Sequence, residues 1–148
     1  MSMSEADLRR GVAVLDQYRE QMEAFAQQQE IIRISLEEHM RARETLNRYR
    51  DAGPGAEVLV PIGANAFVVA ASKDVEKAFV SIGSDLLVYD EVPKAIERLD
   101  ERIKSITDAA NAIAQRLADL QRRAEAQGAA VQDLYDRIQA QPATSERT

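Results

Sequence analysis

The sequence predicts a mainly α protein with a small β part: a long antiparallel two-helix coiled coil whose helices are joined by two β-hairpins that enter an oligomeric β-barrel. Three observations predict it. Ala, Glu, Lys, Leu and Arg make up nearly half of the 148 residues, the composition of long helices and coiled coils. Two stretches, residues 4–50 and 93–139, contain one Gly each and no Pro beyond the opening Pro93, so nothing interrupts either helix over roughly 70 Å. Between them, residues 57–91 abandon the helical period for short β-rich runs separated by turn residues.

The first helix is expected to open at Ser4, with Asp7 three residues on placing a carboxylate in the first turn against the positive helix end. It should end at Asp51-Ala52-Gly53-Pro54-Gly55, where Gly can take the left-handed position after the helix and Pro cannot continue it. Its apolar stripe runs through Leu8, Gly11, Leu15, Tyr18, Met22, Phe25, Gln29, Ile32, Leu36, His39, Arg43 and Leu46, with polar breaks and a stutter that puts Met40 in place of His39.

The second helix opens at Pro93, whose missing N–H costs nothing in a first turn, and Pro142 closes it ahead of a disordered tail over residues 142–148. Its stripe steps by three and four from Ile96 through Leu99, Ile103, Ile106, Ala110, Ile113, Leu117, Leu120, Ala124, Gln127, Val131, Leu134 and Ile138 without a slip. Two single stripes of equal length bury each other by antiparallel pairing. That brings Leu8 close to Leu134 and Ile138, and makes the chain one unit with both termini at one end.

In the middle segment, residues 57–62 and 66–71 flank Gly63-Ala64-Asn65 as one hairpin, and residues 75–82 and 86–91 flank Gly83-Ser84-Asp85 as a second. Pro61 cannot donate to a ladder, so its strand is an edge or is bulged there. Both faces of these strands are apolar, as at Val58-Leu59-Val60 and Phe67-Val68-Val69. One chain cannot cover both, and isolated two-stranded hairpins are marginal, so the hairpins are expected to pair with those of other subunits. The residues expected to do so are Val58, Val60, Phe67, Val69, Val80, Ile82, Leu87 and Tyr89.

Other chemistry is disfavoured. A net charge of −6 has the wrong sign for gripping a phosphate backbone, so nucleic acid is not an expected partner. Without Cys there is no disulfide, thiolate metal site or cysteine nucleophile, and the one histidine, His39, has no carboxylate trio to complete a metal site. No P-loop or dinucleotide fingerprint occurs, and the adjacent carboxylates Glu37-Glu38 and Asp90-Glu91 read as solvated charge. No enzyme activity, catalytic residue, metal or cofactor is expected. No apolar run approaches a membrane span and the N-terminus does not resemble a signal peptide, so a cytoplasmic protein without a membrane partner is expected.

The order long helix, two hairpins, long helix resembles the α-class subunit of prefoldin. Val60-Pro61-Ile62-Gly63 followed by Phe67 resembles that family's first hairpin, and Val80-Ser81-Ile82-Gly83 the start of its second turn. Leu87-Val88-Tyr89-Asp90-Glu91 leading into Lys94-Ala95-Ile96-Glu97-Arg98-Leu99 resembles its passage from strand to helix. Ala64-Asn65 and Asp85 depart from the glycines common at those turns, and Pro93 from the usual start of the second helix.

The resemblance implies a hexamer of two alpha and four beta prefoldin subunits built around a double β-barrel. It also implies an ATP-independent holdase that binds unfolded client proteins and delivers them to a group II chaperonin. Gly11 and Gly128, each unfavourable inside a helix, predict a coil end that frays and exposes Leu8, Val12, Leu15, Val131, Leu134, Tyr135 and Ile138 to clients. The alternative is a structural coiled-coil adaptor that hetero-oligomerises through the same hairpins without general chaperone activity.

Overall fold

A computed structural model describes residues 3–141. The elements follow in the order α1 (Met3–Ala52), β1 (Glu57–Gly63), β2 (Ala66–Ala71), β3 (Lys77–Gly83), β4 (Leu86–Glu91) and α2 (Val92–Ala140). Because α1 already includes Met3, Ser4 lies in its first turn instead of capping it. The helix runs on to Ala52, where Gly53 takes φ +76° and returns its N–H to the Arg50 carbonyl at 3.2 Å. Pro142 and the tail expected over residues 142–148 fall outside the described residues.

The second helix starts one residue early, directly after β4. Val92 sends its N–H to the Glu76 carbonyl at 2.8 Å, so the Pro93 ring sits within a first turn that has no helical partners to lose. Strand β3 begins two residues later than expected. Asp74 accepts the Glu76 N–H at 2.9 Å, which bends the chain there, and Val75 turns inward instead of joining the ladder.

The chain forms two compact units, Met1–Ile32 with Ala109–Thr148 and Arg33–Asp108. In the first unit the helices run antiparallel. Gln127 Nε2 donates to the Gly11 carbonyl at 2.9 Å, and the Arg116 guanidinium lies 6.0 Å from the centre of the Phe25 ring. In the second unit Arg43 Nε meets Asp100 Oδ1 at 2.5 Å. Each α2 stripe residue from Ile96 to Ile138 is buried or half-buried, as its unbroken three-four stepping requires.

The stripe of α1 does not shift to Met40, which is 54% exposed. His39 stays half-buried, its Nδ1 2.7 Å from the Ser35 carbonyl. A partner on its own helix lets the imidazole keep the stripe position without orphaning a polar atom. Gln29 and Arg43 are exposed, and Arg43 reaches across to Asp100 instead of entering the seam.

Both hairpins use one device. Ala64 and Asn65 have φ +48° and +58°, Ser84 and Asp85 +51° and +60°, the two left-handed residues that a type I′ turn requires. Each hairpin then carries an extra residue, Ile62 between Pro61 and Gly63 and Ile82 between Ser81 and Gly83, a β-bulge that re-aims the strand end. Pro61 therefore sits next to a bulge on a strand with only one partner.

Candidate functional site

The second unit owns the hairpins, and its packing begins at their roots. Val75, Val92, Ala95 and Leu99 are buried there, Val92 completely. The first linker, Gly53-Pro54-Gly55, needs glycine at both ends because both take positive φ, +76° and +85°. It is tied to the second linker by Gly55 N–H to the Ser72 carbonyl at 2.7 Å and Ser72 N–H to the Ala56 carbonyl at 2.8 Å.

Register then assigns the faces. In β3–β4, Phe79 stands opposite Tyr89 and Val80 opposite Val88. Val80 is only 8% exposed and Val88 half-buried, so this face is covered by the chain itself. Beside it lies a groove of about 580 Å³ lined by Leu46, Tyr49, Ala78, Val80, Leu99 and Arg102, in which the Arg102 guanidinium donates to the Ser81 carbonyl.

The opposite face presents Phe79 and Tyr89 stacked at 4.5 Å, with Lys77 Nζ 5.6 Å from the tyrosine ring and Leu87 exposed alongside. Phe79 remains 67% exposed even in that stack.

The β1–β2 hairpin is barer. Leu59, Pro61, Phe67 and Val69 share one open face, Leu59 at 67% exposure. Its other face carries Val58 and Ala70, half-buried, and Val60 and Val68, exposed. Both two-stranded sheets also leave both outer strand edges unpaired within the chain.

Of the residues expected to join other subunits, Phe67, Val69, Leu87 and Tyr89 lie on the open faces, and Ile82 is exposed at its bulge. Val60 is exposed and Val58 half-buried on the other face of β1–β2. Val80 differs from these: the chain's own packing covers it, at 8% exposure. Sequence reading missed Leu59, Ile62, Phe79 and Leu86, all strongly exposed. Strict alternation counted from Phe67 and Tyr89 across the ladder would have found Leu59 and Phe79.

The first unit holds the other candidate surface. Leu8, Leu15, Val131, Leu134 and Ile138 are half-buried, whereas Val12 and Tyr135 are exposed, the Tyr135 hydroxyl accepting from Gln139 Nε2 at 3.0 Å. Gly11 also has a packing role. It is buried, and a Cβ added to it would lie 3.1 Å from Val131 Cγ2 and 3.3 Å from Gln127 Nε2, so glycine permits a close approach of α2. The arrangement offers apolar contact. Among the described residues no group of His, Cys, Asp or Glu is placed to hold a metal ion, and no helix is long and apolar enough to cross a membrane.

The family model described as Prefoldin subunit matches residues 18–137. The chain belongs to the prefoldin family. Its relatives place it with the archaeal alpha type: it is 34% identical over 104 residues to prefoldin subunit alpha of Pyrococcus horikoshii, covering 70% of each chain. It is 32% identical over 125 residues to prefoldin subunit alpha of Methanospirillum hungatei, covering 84% of this chain and 78% of that one. A chain in the cryo-EM structure of filamentous PFD from Methanocaldococcus jannaschii matches with a TM-score of 0.68 and 23% identity, covering 79% of this chain and 97% of that chain, a likeness of fold.

Two long helices with two hairpins between them are the prefoldin fold. The chain is thus a prefoldin-type chaperone subunit, from a family that forms oligomeric complexes and is not a known enzyme family.

Proposed function

We propose that this prefoldin subunit is part of a cytoplasmic, ATP-independent holdase. In this reading two alpha and four beta subunits assemble as a hexamer, with the hairpins in a shared β-barrel. Unfolded clients bind the helix ends around Leu8, Val12, Leu15, Val131, Leu134, Tyr135 and Ile138, and pass to a group II chaperonin. The observation that carries the reading is the pair of unpaired hairpins whose outward faces are apolar, Leu59 and Phe79 each two-thirds exposed. Surfaces of that kind mark interaction sites, because burying each such side chain fully is worth about 1.5–3 kcal/mol. Several arms of modest affinity acting on one client then bind more tightly than any one of them.

The test has two parts. The native mass of the chain alone and mixed with an archaeal beta-type subunit reads the assembly, and a folded monomer in both samples refutes it. The complex should then suppress aggregation of two unrelated denatured proteins without ATP, and protection of neither refutes the holdase. Val12→Ser combined with Tyr135→Ser should weaken that protection with the complex intact, because both side chains are exposed and neither belongs to the seam.

A further inference from the structure

Ser72 is the only buried polar side chain among the described residues, at 8% exposure. It lies one step beyond the β1–β2 ladder, whose last pair is Glu57 with Ala71. Its hydroxyl accepts the Ala56 N–H at 2.9 Å and donates to the Gly53 carbonyl at 2.9 Å. Its own backbone N–H and carbonyl bind Ala56 and Gly55. One residue therefore joins three points: the left-handed glycine that ends α1, the start of β1 and the root of β2. The backbone bonds hold Gly55 and Ala56 to Ser72 but leave the hairpin free to pivot on Gly53, which is conformationally permissive. The hydroxyl removes that pivot by tying the ladder to the helix end.

We propose that Ser72 is a positioning residue for assembly, its hydroxyl fixing the direction in which β1–β2 leaves the helices. The inference rests on the reading that the hairpins join those of other subunits. Such joining favours a hairpin already aimed, since a competent state populated only in part weakens apparent affinity by that fraction.

The test compares Ser72→Ala and Ser72→Thr with the native chain. Ser72→Ala should weaken assembly with an archaeal beta-type subunit by about tenfold, read as the mid-point concentration of the complex by native mass, and Ser72→Thr by less than about threefold. Helix melting of the unmixed chain should move by less than about 3 °C in both, because α1 and α2 do not depend on this hydroxyl. In the unmixed chain, amide exchange at Gly55 and Ala56 should quicken about tenfold in Ser72→Ala and stay unchanged along α2.

Native assembly of Ser72→Ala, equal weakening in Ala and Thr, or a fall in helix melting that tracks the loss of assembly would each overturn the proposal. Should the native chain form no complex, the assembly reading fails by itself. The exchange data then still decide whether the hydroxyl holds the hairpin root.

Discussion

The turn of the first hairpin can be improved, and by how much follows from its backbone. Ala64 sits at φ +48° and Asn65 at +58°. A left-handed conformation brings Cβ against the following carbonyl at a cost of about 1–2 kcal/mol for an ordinary L-residue, and Asn tolerates it far better than Ala. Replacing Ala64 by Asn and Asn65 by Gly gives the pair that type I′ turns favour. The gain should be about 1 kcal/mol, because glycine returns some of it as unfolded-state entropy. That is about a fivefold shift toward the closed hairpin.

Ala64→Gly alone should gain less, and Ala64→Val should lose at least as much as the double variant gains, since a β-branched residue fits this region worst. The assay is amide exchange across the Val60–Val68 pair in the unmixed chain, with native mass at limiting concentration as the second readout. Slower exchange for the double variant and faster exchange for Ala64→Val is the expected order. No change in either variant, or a tolerated valine, would mean that these residues do not hold the left-handed pair, and the reasoning would fail.

Further outcomes follow from the same geometry. Gly128 has nothing within 4 Å of an added Cβ, so Gly128→Ala should raise helix melting by about 2–4 °C through propensity alone. Gly11→Ala should raise it less, because contacts at 3.1 and 3.3 Å offset the gain, and Gly11→Val should lower it; circular dichroism melts separate the three. Leu59→Asp and Phe79→Asp should abolish assembly while leaving helix melting in place. Val80→Asp should instead destabilise the unmixed chain by about 3 kcal/mol or more, since it buries an unpaired charge. The Arg43–Asp100 pair, each side chain 46% exposed, should contribute less than about 1 kcal/mol in a double-mutant cycle and less again in high salt.

The helices were legible because each has only one face to hide. The three-four stepping of α2 names every seam residue from Ile96 to Ile138, and burial follows it without exception. On α1 the reading slipped at His39, where the period passes through the histidine but apolarity favoured Met40. A hydrogen bond to the carbonyl one turn back reverses that preference, and no apolar count contains it. Gly11 carries more than its propensity. Propensity marks a helical glycine as a weakness, and here it also lets Val131 and Gln127 approach. Ser72 gave no sequence signal at all, because its partners Gly53 and Ala56 lie 19 and 16 residues away.

In the strands, alternation carries no information when both neighbours are apolar. Val58-Leu59-Val60 reads the same whichever face is outward. The two hairpins then diverge through what surrounds them. The β3–β4 pair lays one face against its own chain and carries Lys77, Asp85, Asp90 and Glu91. Residues 58–72 carry no charge, and apolar residues stand on both faces of β1–β2. Proteins that must stay single guard exposed edges with charge, bulges or proline along the strand. Here Glu57 stands at one end of β1 and Pro61 with the bulge at Ile62 at the other, and Leu59, Val68 and Val69 between them have no such neighbour. A hairpin so composed would be an aggregation hazard on a solitary molecule, and its sparse guards suit the proposed assembly, in which other subunits cover its strand edges.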